Sequence, residues 1–271
     1  MMMQPSEPKS ISDKSLSPIV PLRWLLPLAL ALPTLITWIY FDLLHGANPR
    51  FQQLAYGLGK TFQFALPLWV AWRGWLAGRG LPAESGAGEK PQLNGWGGSW
   101  ERLTPRKSGL LLGVVFGLGV CALLVLAFQF LIAGTSLEQT LRETAREKIS
   151  SLGIQSGLLF LAVGVFYAAI HSLLEEYYWR WFVFGRGEKI WGETRALLIS
   201  SLGFMAHHVL LLGHFLGYGD WRTYLFSLGI AVGGAFWAWL YRRTSNLTAS
   251  WLSHAVVDAG IFGFGYWLLF Q

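Results

Sequence analysis

Of the fifteen acidic residues in this 271-residue chain, only Glu175, Glu176 and Asp258 fall well inside apolar stretches. His171, His207, His208 and His254 lie inside such stretches as well. An ionisable side chain at bilayer depth costs about 2.5 kcal/mol or more, so each is a functional candidate by default. Together they permit water activation. A carboxylate held away from bulk water can act as a general base, and a histidine on a facing helix can hold the same water or take its proton. A second histidine paired with a short acid can donate to the oxyanion of a tetrahedral intermediate. No thiol or hydroxyl nucleophile is required. Cys121 stands alone with no motif around it, which excludes a disulfide framework and a cysteine-based zinc site. Ser172, Ser201 and Ser253 are expected to bond back to their own helices.

The spacing within each stretch is ordered. Glu176 and Arg180 are four apart and can pair on one helical face. Glu175 is rotated by about 100° from Glu176, so the two need not share a role. Glu175 is four residues from His171, His254 is four from Asp258, and Phe204 is four before His208, where it can pack beneath the imidazole. His171 and His207 are read as interhelical hydrogen-bonding groups, and His45 and His214 as interfacial. Lys60 has no evident role; it snorkels or pairs with Asp42.

These residues must be positioned by membrane helices. Charged residues make up 13% of the chain and AVILMFWYC residues 53%, too few charges to cover a soluble domain. The same numbers exclude a disordered chain. The 15 Trp and 18 Phe suit interfacial belts. Apolar runs cover about 24–44, 54–75, 109–133, 157–184, 196–216, 224–241 and 247–270, an all-α polytopic bundle of about seven spans. Open strands cannot face lipid. Residues 1–18 read as a disordered polar tail, 19–150 as the first three spans with their loops, and 151–271 as the core that carries the chemistry. The first run is an uncleaved anchor rather than a signal peptide, because its apolar stretch is too long. Residues 136–150 alternate charges and read as an exposed helix.

Net charge is +6, with the basic residues in loops between spans, so no nucleic-acid surface is expected. With the N-terminus in the cytoplasm, fifteen of the 21 Lys and Arg fall on the cytoplasmic side and five on the other, with Lys60 inside a span. On that orientation Glu175, His208 and His254 lie about 14, 18 and 10 Å deep from the same face, at about 1.5 Å per residue. Three helices bringing polar groups to a similar level imply a shared site open to the cytoplasm.

At these residues the chain resembles a known family. Glu175-Glu176-Tyr177-Tyr178-Trp179-Arg180, then Phe204 with His208, then His254 with Asp258 are similar in order and helix placement to the motifs of the CPBP family. That family comprises CAAX prenyl proteases and bacteriocin-processing (Abi) enzymes. Tyr241-Arg242-Arg243-Thr244-Ser245-Asn246-Leu247 resembles the family's lead-in, with Ser245 where glycine is common. The resemblance covers about residues 155–271. It implies an intramembrane endopeptidase acting on a membrane-associated or lipidated peptide or protein. Glu175 and His208 would activate the water, and His254 and Asp258 would stabilise the oxyanion. Glu176 and Arg180 would support the site, with Phe204 packing there. No metal is expected, the alternative being zinc on Glu175, His208 and His254. A non-catalytic scaffold of the same fold and a proton-relay transporter are the other readings. A transporter would need ionisable groups toward the outer ends of the last four spans, and few are there. The location is the membrane, the plasma membrane if the source is bacterial.

Overall fold

The structure, a computed structural model, describes residues 22–79 and 100–271. The tail expected over residues 1–18 lies outside them, as do residues 80–99 of the loop expected from Gly78 to Ser108. The described chain is helical, with eight principal helices and no strand. They are α1 (Leu22–Trp38, continued by a π-helical turn, Ile39–Leu43), α2 (Pro49–Arg79), α3 (Leu110–Leu131), α4 (Ser136–Ser151), α5 (Gly157–Trp191), α6 (Glu193–Leu216), α7 (Trp221–Thr244) and α8 (Thr248–Phe270). This is an all-α polytopic bundle. Six helices are long and apolar enough to cross a membrane: α1 with its π turn, α3, and α5 to α8. Satisfying every backbone group internally is what lets them do so. They make the chain an integral membrane protein. The second expected span, α2, is helical over 31 residues but carries Arg50, Lys60 and Arg73, and is too polar to join that set.

α8 lies at the centre of the site half, packed against α3, α5 and α7, while α6 packs against α7 and α1. The approach of α3 to α8 depends on small residues. A Cβ on Gly113 would come within 2.6 Å of the Ala249 carbonyl oxygen, and one on Gly117 within 2.8 Å of that of Ser253. α4 is the charged helix expected from the sequence. Its Glu138 accepts from the Gly134 backbone N–H at 2.9 Å and pairs with Arg142 at 2.8 Å. These contacts hold the Glu138 carboxyl below its ordinary range, the Gly134 amide contributing most. Arg142 also donates to the Leu268 carbonyl, tying α4 to the end of α8. Asp220 caps α7 by accepting from the Arg222 backbone N–H at 2.8 Å. The Arg222 guanidinium donates to the terminal Leu131 carbonyl of α3 at 2.6 Å.

Two interruptions position α5. Pro33 in α1 has no N–H, which deprives the Ala29 carbonyl of its helical donor. The Tyr178 hydroxyl of α5 donates to that carbonyl at 2.7 Å. α5 itself contains π-helical turns at Tyr167–His171 and Tyr177–Phe184, on either side of Ser172–Glu176. At the first turn the Trp251 indole N–H of α8 donates to the Ala169 carbonyl at 3.0 Å. Between α7 and α8, Ser245 has φ +50° and ψ +32°, the left-handed region that favours glycine. That conformation gives a physical reason for glycine to be common there. The Asn246 side chain donates to the Thr104 carbonyl and, at 3.2 Å, to that of Arg102.

Candidate active site

Three helices bring their expensive side chains together around Glu175. Its Oε1 lies 3.3 Å from His171 Nε2, one turn back on α5, and 3.7 Å from His207 Nε2 on α6. Its Oε2 lies 3.8 Å from His254 Nε2 on α8. Glu175 is buried, as are Glu176, Arg180, His207 and His254.

Glu176 is fully buried and faces a different set of partners. Its Oε1 is 3.0 Å from His254 Nδ1 and 3.3 Å from Arg180 Nη1. Arg180 also donates to the Gly234 carbonyl of α7 at 3.4 Å, and its guanidinium lies 4.6 Å from the centroid of Phe204 and 5.2 Å from that of Trp237. A chain of contacts therefore runs from α7 through Arg180 and Glu176 to His254. Because Nδ1 of His254 meets a carboxylate, it carries a proton, and Nε2 faces Glu175 and, at 3.7 Å, Asp258 Oδ1. The 100° rotation between the two glutamates leaves both on the same imidazole, through its opposite nitrogens.

His208 is oriented from behind. Its Nδ1 is 2.8 Å from the Phe204 carbonyl, which can only accept, so Nδ1 holds the proton and Nε2 the lone pair. The Phe204 ring sits 4.7 Å from that imidazole at 60°, a tilted contact.

Some of the architecture was not anticipated. His207, read from the sequence as an interhelical bonding group, reaches Glu175 and stacks parallel to Trp179 at 5.8 Å. Glu175, His207 and His208 each offer a ligand atom within 4.8 Å of the others. That donor set suits a three-ligand zinc site in composition, with His207 in place of the expected His254. The sequence signals for His207 are its place inside an apolar stretch and its adjacency to His208, and neighbours diverge by about 100° on an isolated helix, so neither turns it toward Glu175. Trp237 was also missed. It stacks on His254, and its N–H donates to Ser253 Oγ at 3.0 Å. Ser253 was expected to bond to its own helix, as Ser201 does with the Leu197 carbonyl at 2.7 Å; it serves instead as the indole's acceptor. Asp42, suggested as a partner for Lys60, accepts from the Tyr218 hydroxyl at 2.9 and 3.2 Å.

Residues 156–260 match a family model described as Rce1-like, type II CAAX prenyl endopeptidase Rce1-like. Over that segment, less than half of the chain, the protein is similar to the Rce1-like members of the CPBP/CAAX protease family. No curated protein and no solved structure matches the chain. The Rce1-like segment contains Glu175, Glu176, Arg180, Phe204, His208, His254 and Asp258, and with them His207 and Trp237. At the level of that family the activity is that of a CAAX-type intramembrane endopeptidase. Helices α1 to α4 lie outside the matched segment.

Proposed function

We propose that this chain is an intramembrane endopeptidase that hydrolyses a peptide bond of a membrane-associated or lipidated peptide or protein with an activated water. The observation that carries the reading is the meeting of Glu175 with His207 of α6 and His254 of α8, at 3.7 and 3.8 Å, among buried groups. Glu175 takes the proton of the attacking water as general base, with the Nε2 lone pair of His208 accepting the water's other hydrogen bond. His254 and Asp258 face the developing oxyanion. An imidazole ringed by Glu175, Glu176 and Asp258 can donate from both nitrogens when protonated, which suits that task. Arg180 and Glu176 position His254. The site faces the cytoplasm when α2 crosses with the six apolar helices, the arrangement that the distribution of Lys and Arg favours. The residence is the plasma membrane if the source is bacterial.

A zinc-dependent form is the second reading, favoured by the clustering of Glu175, His207 and His208. Those three residues would hold the ion, and zinc would supply polarisation of a bound water. A membrane scaffold of the same fold requires none of these alignments.

The deciding experiment is cleavage of a prenylated, fluorescence-quenched peptide by the detergent-solubilised full chain. Glu175→Gln keeps shape and removes the base, so activity should fall by about 10²–10⁴-fold. Glu176→Gln and Arg180→Ala each leave a buried partner charge unpaired, and should also lower stability by about 3–5 kcal/mol. Full activity in Glu175→Gln would sink the assignment of the base.

A further inference from the structure

α2 brings a cation to this site from outside the Rce1-like segment. Its inward face carries Tyr56, Lys60 and Gln63, spaced one turn apart on a helix whose other faces are exposed. The Lys60 ammonium lies 5.6 Å from the centroids of both Tyr56 and Phe64. Phe64 in turn meets His171 edge-on at 6.1 Å, and His171 is the residue 3.3 Å from Glu175. Lys60 thus stands two ring contacts away from the Glu175 carboxylate, through Phe64 and His171. Among the described residues no carboxylate lies within ion-pairing distance of it, and Asp42 accepts from Tyr218 instead. Gln63, one turn further along, is fully buried, and neither atom of its amide has a hydrogen-bond partner among the described residues.

A lysine placed only to fill space would be replaced at no loss by an apolar residue of similar volume. An ammonium at this depth is costly, and aromatic faces compensate it only in part. The site has a use for it. Glu175, Glu176 and Asp258 gather three carboxylates around His254, while among the described residues Arg180 is the single guanidinium paired with them and is committed to Glu176. Hydrolysis adds further negative charge as the oxyanion forms. We infer that Lys60 is a functional residue of the site: α2 supplies its charge to offset the Glu175 carboxylate and the negative charge that develops during reaction. The inference rests on the peptidase reading for its kinetic consequence, and on the path from Lys60 through Phe64 and His171 to Glu175 for its energetic one.

The test uses the full-length solubilised chain and the quenched prenylated peptide. Lys60→Met should lower kcat by about tenfold or more with KM little changed, since the charge acts on the transition state. Its thermal midpoint should stay level or rise, because a half-buried ammonium that makes no ion pair has been removed. Lys60→Arg should recover part of kcat. A structural lysine predicts the reverse, with loss of stability and activity falling in parallel. Independently of any activity, Glu175→Gln should lower the midpoint by stranding the ammonium, and adding Lys60→Met should restore part of it. Full kcat in Lys60→Met, or additive midpoint shifts in the double variant, would overturn the inference. An inactive wild-type chain with a non-additive cycle would remove the peptidase reading and leave the coupling standing.

Discussion

The imidazole of His254 lies flat against the indole of Trp237, with centroids 4.2 Å apart and planes 14° from parallel. The indole is fixed in its own plane by the 3.0 Å bond from its N–H to Ser253 Oγ. Because Ser253 immediately precedes His254, α8 supplies both the ring and the anchor of the surface that orients it.

Loss of that surface should therefore cost catalysis. Trp237→Leu removes the stacked plane, and misplacement of a reacting group by about 1 Å can lower the rate by about 10²-fold. Trp237→Phe keeps a plane and should retain more activity. Ser253→Ala leaves the indole N–H buried and unpaired, at about 1–3 kcal/mol, read by thermal unfolding in detergent. Unchanged kcat in Trp237→Leu would show that His254 is held by Glu176 and Asp258 alone.

Metal dependence can be assigned through the two histidines that sequence and structure rank differently. If water is activated without metal, purified protein should contain zinc well below one equivalent and keep its activity in chelator. If zinc is bound by the cluster Glu175, His207 and His208, then His207→Ala should abolish stoichiometric zinc while His254→Ala retains it. Elemental analysis of the three proteins separates the cases, and zinc lost from His254→Ala alone would favour the set expected from sequence.

Topology gives a third outcome. With α2 counted as a seventh crossing helix, as the excess of Lys and Arg favours, the loop from Gly78 to Ser108 should lie in the cytoplasm and the C-terminus on the opposite side; with only the six apolar helices crossing, the two termini would share a side. Cysteine labelling of intact cells, with single cysteines placed in that loop and after Phe270 in a Cys121→Ser background, reads both ends. Labelling of the loop from outside would move the site to the other leaflet.

Lys148 on α4 offers a pH dependence away from the spans. Its ammonium lies 4.0 Å from the Tyr40 centroid and 4.8 Å from that of Phe41, and burial lowers it to about 8. A lysine depressed in the folded state makes the unfolded chain the better proton binder between that value and its ordinary value of about 10.4. Stability should therefore rise as pH climbs through this window and be unaffected below it. Thermal midpoints at pH 7.5 and 9.5 should show the gain, and Lys148→Met should lose it. A gain that persists in Lys148→Met would assign the effect to another group.

Much of this protein is legible in one dimension. The fold class follows from apolar runs long enough to span a bilayer, because lipid leaves the backbone no alternative to helix. Glu175, His208 and His254 stand out because polar groups in those runs are costly and lie at similar depths, and Asp258 because it is four residues from His254. The pairs Glu176–Arg180 and His254–Asp258 follow from helical spacing alone, at 3.3 and 3.7 Å in the structure. Contacts between helices do not follow from spacing, because rotation about each helix axis is set by packing. Gly113 and Gly117 let α3 close on α8, and the Tyr178–Ala29 bond ties α5 to α1. Only those tertiary constraints turn His207 toward Glu175, place both glutamates on His254, lay Trp237 beneath its ring and bring Lys60 of α2 to the edge of the site.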